Sequence, residues 1–476
     1  MLTMLGSPRR CCDGVTRRET LQAGAIAALG GLSLPQLLAA NEAGALGHGK
    51  AKNVIMLFLL GGAATQDMFD LKPNGPSETK GEFKPIPTNV PGIEICEHLP
   101  QMAQWMHKTA IVRSLNHKAG CHNCLPVYTG DEVPRPDQHP RDTDPPSMGS
   151  VLEYLQRGQP GFPAYHFLPC WLGWGQAFRR SGPYAGFLGQ RFNAITTECS
   201  PTMDADSHKP LPGTPAIVRG APTLPNGILQ DGVTLDRLNA RRSLLSQFDR
   251  QVRDLETARV VDTFSRNQRQ AFDILTSSKL RESFDLSQES PQTVDRYGKT
   301  LFGNSTLIAR RLIERGAKFV NVTWDLFWGP VQIDYDAWDT HQRNFSILKT
   351  NKLPGLDQTY SALMQDLDSR GLLDETLVIL ISEMGRTPKI NANGGRDHWT
   401  FCYSCLFAGA GIRGGTIYGA SDSQAAYVQD KPVSNSDVVA TVYQTLGLDP
   451  ETRVPDHAGR PVSISQSGEP IWDILT

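Results

Sequence analysis

The sequence predicts an α/β protein built on a doubly wound, mostly parallel sheet with helices on both faces. Three stretches of the 476-residue chain carry that reading. Lys52 to Gly62, KNVIMLFLLGG, is a charged start, an apolar run and a double glycine, as in a strand buried on both faces. TLVILI, residues 376–381, is a second such run, and it follows the segment Pro354 to Arg370, where Leu356, Tyr360, Leu363 and Leu367 share one helical face. KFVNVT, residues 318–323, follows another amphipathic stretch from about Val294 to Arg315. A helix leading into a buried strand is half of a parallel α/β unit, and its recurrence at both ends of the chain sets the fold class.

Taken in order, residues 1–45 read as a twin-arginine export signal. Arg17 and Arg18 precede the weakly apolar run Ala23 to Ala40, with small residues following at Ala43 and Ala45. Gly24, Gly30, Gly31 and Pro35 make that run a poor spanning helix, and nothing later reaches 18 apolar residues. The expectation is a chain handed to the twin-arginine machinery, with no stable membrane span and a periplasmic or extracellular destination. Residues 46–476 are then a single domain carrying an insertion at roughly 131–290.

Past the first strand, Thr65, Gln66, Asp67 and Asp70 stand where α/β sites open, so Asp67 and Asp70 are candidate ligands, with a turn-forming Asp as the structural alternative for each. From Ile111 the sequence IVRSLNHKAGCHNCLPVYTG predicts a strand, a polar loop and a helix ending at Thr129-Gly130, with His117 and His122 flanking the helix start. Glu132 to Pro146 is a surface loop. Pro160 to Gly189, rich in aromatics and glycines, reads as an irregular substrate-side insertion, with ordinary loop packing as the alternative; a non-catalytic binding protein would take a glycan or partner near Trp171, Trp174 and Tyr184. Thr234 to Glu289 is charged and helical, with Leu238, Leu245, Phe248, Val252 and Leu255 as its stripe. A strand near Tyr403 to Ala408, a glycine-rich turn from Gly409 to Gly419 and a capped helix from Ser436 through Leu446 close the chain.

A hydrophobic content of 39% and a net charge of −2 fit a globular enzyme and give no argument for nucleic acid or an anionic membrane. Seven of the nine cysteines follow residue 45, an odd number that leaves at least one thiol without an intramolecular bridge. The pairs Cys121/Cys124 and Cys402/Cys405 raise a four-thiolate zinc site or a redox pair as minor readings. FCYSCLF looks like a strand, where positions three apart face opposite ways, and no thioredoxin-like context surrounds Cys121.

Chemistry concentrates between Trp338 and Trp399. WDTH, SEMGRTP and GRDHW bring together Asp339, His341, Glu383, Asp397 and His398, with Arg386 and Arg396 beside them. If WDTH closes an extended segment, Asp339 and His341 leave the same face and can share a ligand. Oxygen and imidazole donors without thiolate suit a divalent metal, Zn, Mn or Mg, and the arginines suit an anion. Each histidine or carboxylate taken singly has a hydrogen-bonded structural reading; the set favours metal or catalysis.

The motifs GGAATQDMFDLKP, PSMGSVLEYL, YAGFLG, WDTHQRNF, SEMGRTPKINANGGRDHW and AGAGIRGGTIYGASD together resemble the secreted proteins of domain-of-unknown-function family 1501, regarded as distant relatives of the alkaline phosphatase and sulfatase superfamily. The resemblance implies an alkaline-phosphatase-like α/β fold and metal-dependent hydrolysis of phosphate or sulfate esters. It matches Asp339, His341 and His398 to a first metal site, and Ser382-Glu383-Met384-Gly385 to a second-metal segment in which Met384 replaces an imidazole. Nine residues before Thr129, where such enzymes keep their nucleophile, stands Gly120. The expectation is an exported hydrolase that uses metal-bound water, with Asp339, His341, His398, Glu383, Asp67 and Asp397 as metal-site residues. His122 is its acid/base, Arg386 or Arg396 steadies the anion, and the substrate is an anionic small molecule or glycan. The alternative is an exported binding or scaffold protein that keeps the fold without the chemistry.

Overall fold

The apolar runs become the central strands of an eight-stranded sheet. In the computed structural model, which describes residues 49–135, 137–159, 161–204, 215–224, 277–324 and 337–476, these strands are β1 (Asn53–Leu59), β2 (Thr109–Leu115), β3 (Tyr165–Leu168), β4 (Ile195–Thr196), β5 (Phe319–Trp324), β6 (Thr376–Ile381), β9 (Tyr403–Gly409) and β10 (Thr416–Tyr418). A separate two-stranded ribbon pairs β7 (Gly385–Arg386) with β8 (His398–Trp399). The order across the sheet is β10-β2-β9-β6-β1-β5-β3-β4. Five of its seven neighbour pairs are parallel; only β9 runs antiparallel, against β6 and β2. The sheet is therefore mixed but mostly parallel, as the runs imply.

Alternation along β1 shows why both faces are covered. Ile55, Leu57 and Leu59 belong to one core with Leu307, Ile308 and Leu312 of the helix Leu301–Glu314 and with Leu356, Tyr360, Leu363 and Leu367 of the helix Leu353–Ser369. Val54, Met56 and Phe58 face the other core, with Val127 and Tyr128 of Leu125–Thr129, Val151 and Leu152 of Met148–Tyr154, and Val438, Val439 and Val442 of Asn435–Thr445. A strand with side chains in two cores is apolar along its length, and all seven residues of β1 are buried, with only the first, Asn53, polar. Each such side chain contributes on the order of 2 kcal/mol. The described residues fall in one compact unit, Gly49–Thr476.

Several boundaries differ from the sequence reading. The helix expected from Val294 to Arg315 is two, Pro291–Arg296 and Leu301–Glu314. Gly298 (φ +96°) and Lys299 (φ +52°) break the path, and the Thr300 side chain accepts from Gly303 N–H to start the second helix. The segment 160–189 is not wholly irregular, because Tyr165–Leu168 enters the sheet beside β5. The closing helix begins at Asn435, one residue early, because Ser434 and Asp437 form a capping box. WDTH forms a turn and no strand. The export segment 1–45 and the stripe Leu238, Leu245, Phe248, Val252 and Leu255 lie outside the described residues. Among the described residues no helix is long and apolar enough to cross a membrane.

Candidate metal centre

Carboxyl ends of β1 and β6 open side by side, and the candidate site is assembled there. Beyond β1 the double glycine lets other segments approach. A Cβ on Gly61, at φ +109°, would lie 2.7 Å from Asp339 N, and one on Gly62 would lie 2.8 Å from Met384 Cγ. Trp338 N–H donates to Leu60 O (2.8 Å), seating the WDTH turn against this bend. Gly61 N–H donates to Glu383 Oε1 (2.8 Å) and Oε2 (3.1 Å), just past β6. Two carboxylates from distant parts of the chain thus flank one glycine.

Around Asp339 four side chains meet. Its Oδ1 lies 3.1 Å from Nε2 of His398 and 3.1 Å from Nε2 of His341, and also accepts from Arg386 Nη2. Its Oδ2 lies 3.4 Å from Nε2 of His122. His341 Nε2 and His398 Nε2 are 2.8 Å apart. Burial opposes ionisation of Asp339, but hydrogen bonds from His122 and His398 and the charge of Arg386 outweigh it and hold the carboxyl far below the usual range. Burial lowers His398. Burial also opposes the charged form of His122, but its contacts with Asp339 and Glu383 prevail and raise its pKa.

Two imidazoles are backed by carboxylates. His341 Nδ1 lies 2.8 Å from Asp397 Oδ1, and His122 Nδ1 lies 3.1 Å from Oε1 of the wholly buried Glu383. A carboxylate on Nδ1 fixes the ring and leaves Nε2 either to donate to an ion, as in the outer layer of a metal site, or to accept a proton. Spacing supports the same reading. Ligands on bonds of about 2.0–2.1 Å lie about 2.9 Å apart at right angles and about 3.3 Å apart in a tetrahedron, and the contacts here, 2.8 to 3.4 Å, span those values. His122, Asp339 and His398 offer ligand atoms all within 4.8 Å of one another.

Other sequence candidates take structural partners. Asp67 is buried, with Oδ1 and Oδ2 accepting from Arg396 Nη2 (2.7 Å) and Nε (2.8 Å), and Oδ2 also from Asn344 (2.9 Å). Arg396 turns its remaining donors to the carbonyls of Thr387, Pro388 and Thr79. Arg386, with no exposed surface, donates to Gly62 O (2.7 Å), Arg396 O (3.1 Å), Gly61 O and Asp339. The expected anion clamp is therefore absent at both arginines, and Asp67 stands apart from the converging atoms. Buried carbonyls at the ends of β1 and in the turns need donors, and these guanidiniums supply them. His117 is likewise structural, with Nε2 2.8 Å from Glu383 O and Nδ1 accepting from Ala119 N–H.

The thiol readings also recede. Cys124, Cys402 and Cys405 are buried and unbridged, and burial pushes Cys402 up to about 12. Cys121 is exposed beside the site, but burial of its sulfur, with Glu383 and Asp339 nearby, raises its pKa as well. Among the described residues the one group of three ligand atoms within 4.8 Å of one another is His122, Asp339 and His398, and His341 Nε2 adjoins it, 2.8 Å from His398 Nε2 and 3.1 Å from Asp339 Oδ1. Sequence reasoning missed Asn391, whose Nδ2 donates to His341 O (2.9 Å) and Asp397 Oδ1 (3.2 Å). In NANGG an Asn signals only a turn, so nothing in the sequence marked it.

A model of the family described as "Protein of unknown function (DUF1501)" matches residues 51–475. No curated protein sequence matches. Solved structures with similarity include Ps i-CgsB in complex with k-i-k-neocarrahexaose, at 10% identity over 88% of this chain and 75% of that one, TM-score 0.39. PsFucS1 sulfatase from Pseudoalteromonas sp. gives 12% identity over 87% and 72%, TM-score 0.35. A protein in the alkaline phosphatase superfamily from Vibrio parahaemolyticus gives 12% over 90% and 72%, TM-score 0.36.

Proposed function

The chain belongs to the DUF1501 family, and from that premise and the geometry of the site we propose that it is an exported, metal-dependent hydrolase of phosphate or sulfate esters. The observation that carries the reading is the convergence of His341 and His398 Nε2 on Asp339, with the Nδ1 of His341 and of the neighbouring His122 each set on a carboxylate. Asp339, His341 and His398 would hold one divalent ion, Zn, Mn or Mg. Such an ion supplies Lewis acidity toward the ester and eases ionisation of water.

The chain's own groups do the rest. Gly120 offers no side chain for attack, which favours water as the nucleophile. His122 takes its proton at Nε2, while Glu383 holds Nδ1–H and stabilises the imidazolium that forms, the relation of base to orienting acid in a hydrolytic triad. Glu383 accepts from Gly61 N–H, Ser382 Oγ and His122, so its oxygens are occupied by protein donors and a single ion per chain is expected.

The test is elemental analysis of the folded, exported protein together with a screen of phosphate and sulfate esters. About one ion per chain and turnover lost in His341→Ala and His398→Ala are expected. Turnover unchanged in both variants rules the hydrolase out. Absence of both ion and turnover favours the second reading, a binding scaffold, for which Gly120 and the wholly buried Met384 are the supporting observations.

A further inference from the structure

We infer that the half-open cleft at the carboxyl end of β3 is a subsite for an acidic sugar ring, one bearing a carboxylate or sulfate group. Phe167, Trp171, Tyr184, Arg179, Asn193 and Thr196 line it, and no carboxylate does. The exposed Arg179 guanidinium lies over the Trp171 ring, with Cζ 5.7 Å from the centroid, and makes no ion pair or hydrogen bond with any described residue. Stacking on the indole holds the fork in place without using its N–H donors. The arginines nearer the metal centre are already engaged. Arg386 and Arg396 are committed to carbonyls and carboxylates, and the buried Arg180 donates to His122 O (3.2 Å) and Gln138 Oε1.

The neutral groups of the cleft are donors as well. Asn193 Oδ1 is taken by Ala185 N–H (2.7 Å), which leaves its amide N–H groups for a ligand, and the Thr196 hydroxyl lines the same cleft. An aryl acid covering these groups would leave them unpaired, whereas the hydroxyls of a sugar pair them while its carbons pack against Trp171 and Tyr184. At about 80 Å³ the cleft is smaller than the void of about 150 Å³ that encloses benzene, so the ring lies across its mouth. β3 is two parallel strands from β1, so at about 4.8 Å per strand the cleft opens about 10 Å from the metal centre along the same edge of the sheet. It shares no residue with that centre, and the inference goes beyond the hydrolase reading without depending on it. An acidic oligosaccharide seated here presents its neighbouring unit to the metal centre.

Binding of the full chain to a panel of uronate- and sulfate-bearing trisaccharides, their neutral counterparts and a naphthoate, followed by isothermal titration, tests the subsite. The best acidic trisaccharide is expected to bind at least tenfold tighter than its neutral counterpart, the scale of one hydrogen bond to a charged group. Arg179→Met keeps an apolar stem on Trp171 and should abolish that difference while leaving the neutral sugar unchanged. Trp171→Ala should weaken both sugars about tenfold. His341→Ala should keep the acidic sugar bound at the unaltered ratio, so the subsite is read apart from any ion, and its turnover tests the hydrolase reading separately. No acidic trisaccharide bound, a ratio that survives Arg179→Met, unchanged binding in Trp171→Ala, or the naphthoate bound as tightly as the sugar overturns the inference. A retained ratio without turnover of any ester leaves the subsite standing and removes the hydrolase reading.

Discussion

Replacing Asp67 by Ala separates a structural acid from a metal ligand. Both side chains of the Asp67–Arg396 pair are nearly inaccessible, at 3% and 1% exposure. Removing the carboxylate deletes two charge-assisted contacts at 2.7 and 2.8 Å and the bond from Asn344 at 2.9 Å, and leaves a guanidinium buried without a counter-charge. Breaking a buried pair from one side costs about 3–5 kcal/mol. For a folded unit of on the order of 430 residues, an unfolding entropy of about 2.1 cal/mol/K per residue gives roughly 0.9 kcal/mol/K, so the melting temperature should fall by about 3–6 °C. Calorimetry of Asp67→Ala measures this, and a chromophoric chelator competing for the ion measures affinity in the same protein. Affinity should stay within about threefold. The double variant Asp67→Ala/Arg396→Met should lose clearly less than the sum of the single losses, because removing both partners leaves no orphaned charge. A variant that melts normally yet binds the ion more than tenfold more weakly would refute the argument and make Asp67 a ligand.

Two further outcomes follow from the same structure. His166, on β3, is wholly buried, and burial lowers its pKa to about 4, while the unfolded chain titrates near 6.5. Between those values the unfolded state binds the extra proton, so stability falls as pH drops through 6.5 and the loss saturates at about 3 kcal/mol below pH 4. Denaturant unfolding of the native chain and His166→Asn across pH 7 to 4.5 should diverge accordingly, and parallel curves would contradict it. At the site, Asp397→Asn removes the negative charge behind His341 Nδ1 and should weaken ion binding by about tenfold, the low end for an outer-layer carboxylate because Asp397 is half exposed. Unchanged affinity in a chelator competition would remove His341 from the ligand set.

The sheet and the cluster of acids and imidazoles at its carboxyl end were legible in the chain, and the turn of the arginines was not, for one physical reason. β1 and β6 were legible because a strand between two cores is apolar at every position after its first residue, here Asn53 and Thr376. Asp339, His341 and His398 were legible because short polar motifs follow such strands, where α/β sites form. The break at Gly298-Lys299 and the short β3 were less so, since helix periodicity continues across the former and the latter sits among aromatics and glycines. What sequence could not show is which way a charged side chain turns at a strand end. The double glycine that admits Asp339 and Glu383 also exposes the Gly61 and Gly62 carbonyls to a water-poor interior, and Arg386 donates to both. The Arg386 guanidinium is thus engaged by the backbone and by Asp339, so the glycines that bring the acids together also fix this arginine. Gly62→Ala should therefore act on Arg386 and Met384 first, and on Asp339 only through them.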